Sequence, residues 1–292
     1  MKPLVLVVNP VALGASEKGI RHAADLFRAG GYEVTVRLTV QKGDAEEFAR
    51  EASRDGLPLV VAAGGDGTIN EVVNGIARSD TAMAILPMGT TNVLAKELGI
   101  PEDAEGAAMA VLRGTGHTAS LGQITLDAPS PVTRCFCLMA GIGFDGAAVY
   151  GFSHAVKRHS GKSAYILSGV SALLRHSPEP LVFTVNDETY RGYAAVIGNA
   201  SRYGGHFRVT PDASLHRPEL FVCIMEGKRR RDMLRYVFGV VTERHLGFRD
   251  VRYLKAGSLA VEGIAHVQID GDYLGKTPAT ITVVPDALKI VY

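Results

Sequence analysis

Residues 59–74 read LVVAAGGDGTINEVVN. Leu59, Val60, Val61, Ala62 and Ala63 form an unbroken apolar run after Pro58, the pattern of a strand buried on both faces. The chain then turns through Gly64-Gly65-Asp66-Gly67. Ile69, Val72, Val73 and Ile76 recur at the spacing of one helix face, and Thr68 with Glu71 three residues later reads as a capping box. A strand that feeds a glycine turn and opens a helix leaves backbone N–H groups and a positive dipole end facing one spot, where an anion can sit. Glycines admit a phosphate close to the backbone, and an aspartate among them can hold a metal ion or its waters. The same letters also suit a tight turn with a threonine cap and no ligand, so one such motif decides little by itself.

Moving outward, a second turn of this kind follows. Residues 83–86 are apolar and close at Pro87. Met88-Gly89-Thr90-Thr91-Asn92 then leads into a helical stretch from Val93 to Leu98, stopped by Gly99 with Pro101 beyond. Upstream, residues 4–8 are another buried strand, ending at Asn9-Pro10 with Gly14 close behind. Ser16 caps a helix with apolar positions Ile20, Ala23, Ala24 and Phe27, halted by Gly30-Gly31. Tyr32, Val34, Val36 and Leu38 alternate as a strand with Thr39 at its end. Asp44 and Glu47 read as a capping pair for a helix bearing Phe48, Ala49 and Ala52. A helix with Ala107, Ala108, Val111 and Leu112 closes the series near Gly114. Alternating strands and helices imply a parallel sheet covered on both faces, and its carboxyl edge is where such folds bind ligands.

The texture changes after His117. Strand-like runs follow one another at 119–126, 132–140, 181–186, 193–197, 220–225, 258–261, 267–269 and 281–284, which predicts an antiparallel second domain. Gly141 to Gly146, GIGFDG, fits the dinucleotide pattern G-x-G-x-x-G. It lies in the β-rich half, however, and the strand after its helix offers no clean ribose carboxylate, so that reading is set aside. Asp270-Gly271-Asp272 reads either as a pair of working carboxylates or as a plain β-turn.

The totals bound the rest. A chain of 292 residues suggests two domains of roughly 150 residues each. Its net charge of +1 gives no global field for nucleic acid. Cys135, Cys137 and Cys223 form neither a disulfide framework nor a zinc spacing. No apolar run approaches the ~18 residues that span a bilayer, and the apolar run before Asn9 is too short for a signal peptide. A cytoplasmic protein is expected.

GGDGTINEVVNG together with LPMGTTNVLAKELGIP resembles the diacylglycerol kinase catalytic-domain family, which includes bacterial lipid kinases and the sphingosine and ceramide kinases. The Gly-Gly-Asp-Gly-Thr core alone is shared with NAD kinases. The resemblance implies an N-terminal three-layer α/β nucleotide domain of the NAD kinase/diacylglycerol kinase type over residues 1–118, completed by a last strand at 285–292. It implies a C-terminal antiparallel β-sandwich for the lipid substrate over 119–284. The activity implied is transfer of the γ-phosphate of ATP to a lipid hydroxyl, on diacylglycerol or a similar lipid, in a cleft between the domains.

Residue roles follow from the resemblance. Nucleotide contacts fall on Asn9, Pro10, Thr39, Gly65, Asp66, Gly67, Thr68, Ile69, Asn70, Glu71, Gly89, Thr90 and Asn92. Asp66 is the expected magnesium ligand. Asp272 stands where relatives have a glutamate read as the base for the lipid hydroxyl, and Asp270 matches the aspartate before it. In some eukaryotic relatives the aspartate of the first motif is itself the proposed base, so Asp66 and Asp272 are interchangeable in role at this stage. Arg217-Pro218 replace an Asp-Gly pair that helps hold a structural magnesium in bacterial relatives. A cation cannot ligate a cation, so that second metal is not expected here.

A lipid substrate implies peripheral contact with the inner membrane surface, and the resemblance leaves a homodimer open. Two basic stretches are candidates for that contact. One is Lys157, Arg158, His159 and Lys162 within the apolar segment 147–176. The other is Lys228-Arg229-Arg230-Arg231, heading a helix with Met233, Leu234, Val237 and Val240; either is equally a solvated face. The competing functions are an NAD kinase and a non-catalytic nucleotide- or lipid-binding member of the family.

Overall fold

The computed structural model describes residues 1–127, 130–156 and 178–292. They form two compact units: Met1–Leu121 with Leu215–Arg217 and Val284–Tyr292, and Gly122–Ser214 with Pro218–Val283. Lys157, Arg158, His159 and Lys162 lie outside the described residues.

In the first unit, β1 (Lys2–Val8), β2 (Tyr32–Leu38), β3 (Leu59–Gly64) and β4 (Ala82–Pro87) line up in the order β2-β1-β3-β4, all parallel. The later part of a long last strand, β18 (Ala279–Val291), joins β4 in parallel at Lys289 and Ile290. Every residue of β3 is buried, as its unbroken apolar sequence requires. The intervening helices are α1 (Glu17–Ala29), α2 (Asp44–Arg54), α3 (Asp66–Ile76), α4 (Val93–Leu98) and α5 (Ala104–Arg113). α1 packs on α5, and α2 on α3. From β1 the chain moves one way across the sheet to β2; from β3 it moves the other way to β4. With right-handed crossovers that reversal puts the two helical pairs on opposite faces and opens a crevice at the carboxyl ends of β1 and β3. Val8 pairs with Ala63 and Ala63 with Leu86, so the three strands end at one level.

Two caps differ from the sequence expectation. Gly65 already has the extended conformation of an N-cap, so α3 starts at Asp66 and Thr68 lies inside its first turn. Glu71 accepts instead from the backbone N–H groups of Gly43 (3.0 Å) and Ala45 (3.2 Å), tying α3 to the start of α2. Asp44 turns back to accept from the N–H groups of Val40 (2.7 Å) and Gln41 (2.9 Å), which hold its carboxyl below the usual carboxylate range. Glu47 pairs with Arg50 at the surface.

The second unit is a sandwich. One sheet runs β14-β13-β10-β7-β16-β17, antiparallel throughout, from β7 (Met139–Ile142), β10 (Ala194–Gly198), β13 (Leu220–Met225), β14 (Val251–Ala256), β16 (His266–Ile269) and β17 (Asp272–Lys276). Facing it are the first part of β18, β15 (Ser258–Glu262), β8 (Leu181–Val185) and β9 (Glu188–Gly192) in that order, with β5 (Gly116–Leu126) pairing β18 and β6 (Val132–Phe136). Phe136, Phe183, Leu259 and Ile281 from this side meet Ile142, Ile197, Val222 and Val267 from the other in one fully buried core. A small hairpin, β11 (Arg202–Tyr203) with β12 (Phe207–Arg208), and the helices α6 (Phe144–Val156) and α7 (Arg230–Val241) complete the description.

Residues 132–140 were expected as one strand and are two, β6 and β7, in different sheets. The corner between them is stitched from afar. The Asp270 carboxylate accepts the backbone N–H groups of Cys137 (2.8 Å), Leu138 (2.9 Å) and Met139 (3.0 Å), while the Asn199 amide donates to the Cys137 carbonyl (2.8 Å). Such corners are how a chain passes from one sheet of a sandwich to the other.

Candidate active site

The loops that leave β1, β3 and β4 are fastened to one another by polar contacts and by glycine. The Gly14 N–H donates to the Met88 carbonyl at 2.9 Å, and the Asn9 amide donates to the Thr68 hydroxyl at 3.3 Å. A methyl group at Gly89 would stand 2.6 Å from the Gly65 Cα, so the second and third loops touch backbone to backbone and only glycine fits at that point. Asn92, buried and in the left-handed conformation, closes the third loop on itself: its Oδ1 accepts from the Gly89 N–H at 2.7 Å.

Asp66 is the centre of this knot. Its Oδ1 accepts from the N–H of Val93 (2.8 Å) and of Leu94 (3.4 Å), and its Oδ2 accepts from the Thr91 hydroxyl (3.0 Å). The first residue of α3 thereby caps α4, which has no capping side chain of its own. Lys96, unremarked in the sequence, donates to the Thr91 carbonyl at 2.7 Å and supports the same loop. The Asp66 Oδ2 has room for one more partner beyond Thr91. One carboxylate with a spare acceptor direction suits a magnesium ion that draws its other ligands from phosphates and water. Among the described residues no three His, Cys, Asp or Glu side chains cluster as a self-sufficient metal cage.

The expected nucleotide residues fall into three groups. Asn9, Pro10, Gly65, Asp66, Gly67, Thr68, Gly89, Thr90 and Asn92 gather at the three fastened loops. Thr39 follows β2 at the same edge, its N–H bonded to the Val8 carbonyl at 2.8 Å. Ile69 and Asn70 are buried within α3, with Asn70 bonded to Asn74, and the Glu71 carboxylate is spent on Gly43 and Ala45. These last three support the loop from behind.

In the second unit, Asp270 and Gly271 are the two central residues of the β16–β17 hairpin, at φ 47° and 90°, the geometry an Asp-Gly pair provides. The turn reading is therefore right for the backbone, and the Asp270 side chain is committed to the corner at residues 137–139. Asp272 opens β17, half-buried, opposite Ile269. Behind it the Tyr273 hydroxyl meets the His266 Nδ1 at 3.0 Å, and the Tyr150 ring stacks on His266 at 4.8 Å. Loss of water, then the nearby Lys276, holds the His266 pKa down.

Asp145, the aspartate of GIGFDG, was not singled out in the sequence. Tyr203 donates to its Oδ1 and Gln268 to its Oδ2 (2.7 Å), and desolvation pushes its pKa above the usual carboxylate range. Its carboxylate lies where a methyl at Gly141 would fall, and a methyl at Gly146 would strike the His266 backbone, which explains two glycines of that motif as packing. Arg217 and Pro218 are exposed; beside them His216 bonds the Thr118 carbonyl and the Tyr292 hydroxyl, each at 3.1 Å.

Residues 3–124 match the family model described as diacylglycerol kinase catalytic domain, and residues 139–292 match that of the YegS C-terminal NAD kinase beta sandwich-like domain. The chain is similar to a diacylglycerol kinase of Bacillus subtilis (strain 168), 29% identical over 286 residues that cover 95% of this chain and 92% of the relative. A diacylglycerol kinase of Staphylococcus haemolyticus is 28% identical over 255 residues, 85% of this chain and 75% of that one. A crystal structure of a diacylglycerol kinase from Bacillus anthracis has the same fold, with a TM-score of 0.73 at 20% identity over 100% of this chain and 96% of that one.

Proposed function

The chain belongs to the diacylglycerol kinase catalytic-domain family, and from that premise we propose that it is an ATP-dependent lipid kinase acting on diacylglycerol or a similar lipid at the inner membrane surface. The observation that carries the nucleotide half is the knot of three loops at the strand ends, with Asp66 at its centre and two glycines in backbone contact. Phosphates lie against Asn9, the start of α3 and the Gly89-Thr90 turn, where N–H groups and the helix dipole meet negative charge. Asp66, through its spare acceptor direction, is the residue that would hold a magnesium ion, which when bound supplies charge neutralisation on the transferring phosphoryl group.

Phosphoryl transfer needs positioned phosphates and an oriented nucleophile, with little covalent work for the protein. The lipid hydroxyl oxygen bonds to the γ-phosphorus, the bond from that phosphorus to the β–γ bridging oxygen breaks, and ADP leaves. Asp272 takes the hydroxyl proton. Asp270 is a positioning residue: by fixing the hairpin turn it sets where Asp272 begins its strand.

Incubation with γ-labelled ATP, magnesium and a panel of diacylglycerol, monoacylglycerol, sphingosine, ceramide and NAD tests this reading. Label in a lipid is the expected result. Label in NAD alone overturns it in favour of an NAD kinase, and nucleotide binding without label in any acceptor identifies a non-catalytic member.

A further inference from the structure

α7 departs from the usual surface helix. Its inward face is Met233, Tyr236 and Gly239, all buried, and a methyl at Gly239 would come within 2.5 Å of the Phe248 ring. The outward face should then be polar. Instead Leu234, Val237, Phe238 and Val241 follow one another at spacings of three, four and seven from the first, and all four are exposed, Phe238 by 65%. The helix is apolar on two sides.

Charge surrounds that stripe. Arg230 precedes Leu234 by four residues and stands on the same outer arc, with Arg231 beside it. From Lys228 to Arg249 the chain carries seven Lys and Arg against two acidic residues, in a protein of net charge +1. One of the two, Asp232, accepts from the Arg229 backbone N–H at 3.0 Å and serves the helix start. The other, Glu243, is exposed just past the end of the helix. Asp250, outside this run, is turned onto the Tyr236 hydroxyl at 2.6 Å and onto Arg235. A second copy of the chain packed with the two helices parallel is a poor occupant, because a two-fold contact of that kind sets Arg229, Arg230 and Arg231 against themselves. An apolar stripe headed by cations is the chemistry of a helix lying in the headgroup layer of an anionic bilayer.

We propose that α7 is the membrane-docking element of this protein. Leu234, Val237, Phe238 and Val241 enter the acyl boundary, and the run from Lys228 to Arg231 meets lipid phosphates. The purpose of this surface rests on the lipid-kinase reading, but its existence does not, so binding is measured without ATP.

The test is sedimentation of the full chain with vesicles of phosphatidylglycerol and phosphatidylcholine, and with phosphatidylcholine alone. The chain should bind the mixed vesicles about tenfold or more tightly than the neutral ones, and weaken as salt rises to about 0.5 M. The double variant Leu234→Glu, Phe238→Glu should lose about tenfold or more of that binding. The variant Lys228→Gln, Arg230→Gln, Arg231→Gln should lose the preference for anionic vesicles while keeping residual binding. Both should phosphorylate a short-chain diacylglycerol dispersed in solution within about twofold of the parent, since all the changed residues are exposed. Unchanged vesicle binding in both variants, or no binding by the parent, overturns the proposal. So does a dimer in solution that the Glu variant splits, because the stripe would then be a protein interface. Vesicle binding by a parent that phosphorylates no dispersed lipid would sink the kinase reading and leave the docking surface standing.

Discussion

Two aspartates in look-alike glycine turns, Asp66 in the first unit and Asp270 in the second, do the same mechanical job with different amounts left over. Each accepts backbone N–H groups of a distant loop: Val93 and Leu94 for Asp66, residues 137–139 for Asp270. Asp66 gives its second oxygen to a single hydroxyl, at the edge of a crevice. Asp270 divides three N–H donors between its two oxygens inside a sandwich corner. A carboxylate aimed at backbone is thus a clamp first, and becomes a candidate for chemistry only where an acceptor direction stays open.

Substitution separates the two. Asp66→Asn should cut turnover about a hundredfold or more, the range of a lost metal-holding group, and change the melting temperature little because its amide oxygen still accepts from Val93. Asp272→Asn should lose a similar factor in kcat, at least about a hundredfold, with ATP affinity held, as a lost proton acceptor does. If turnover is unchanged, Asp272 is not the base. Asp270→Ala should instead cost about 2–4 kcal/mol of stability, read as a lower urea midpoint at constant slope, because three buried donors lose their acceptor. Equal melting curves with lost turnover would break the contrast between the two aspartates. Gly89→Ala forces the second and third loops apart and should raise the KM for ATP severalfold, at a stability cost of about 1–3 kcal/mol. The smallest effect is at Asp145. Its pKa is raised on folding, so the stability it contributes is present below the ordinary carboxylate value of about 3.9 and lost as pH rises through the folded value. Asp145→Asn should therefore gain on the parent as pH rises above the ordinary carboxylate value in thermal melts; a gap that does not move with pH would remove the desolvated-acid description.

Much of this was legible in the residues. Unbroken apolar runs at 4–8, 59–63 and 83–86 read as strands covered on both faces, and the glycine turns after them pointed to the candidate ligand edge. Besides the two-residue strands of the β11–β12 hairpin, the strands that escaped notice were β9, β14 and β17, and each is the edge of its sheet. An edge strand carries charges and lacks a clean apolar alternation: ETYRG, VRYLKA and DYLGK are the sequences. The break in 132–140 was hidden for another reason. Its cause, Asp270, lies some 130 residues away, and no local pattern reports a clamp at that distance. The same holds for the site. The loop residues were readable from spacing, but that Asp66 caps α4, that Glu71 serves α2 and that Asp145 answers to Tyr203 and Gln268 are tertiary facts. The basic run at 228–231 was visible in the sequence; the exposed stripe behind it was not, because Met233 and Leu234 look alike until one is known to face inward.

β18 has a bearing on how the chain is made. β4, wholly apolar and without a strand beyond it until β18 arrives, leaves the ribosome long before its neighbour does. During synthesis the first unit therefore waits with a sticky open flank while the entire second unit is being translated, the kind of exposure that draws chaperones or misassociation. A premature stop codon that removes Lys289 and Ile290 would leave that flank open permanently, so such products should aggregate even though every loop of the nucleotide edge has been translated intact.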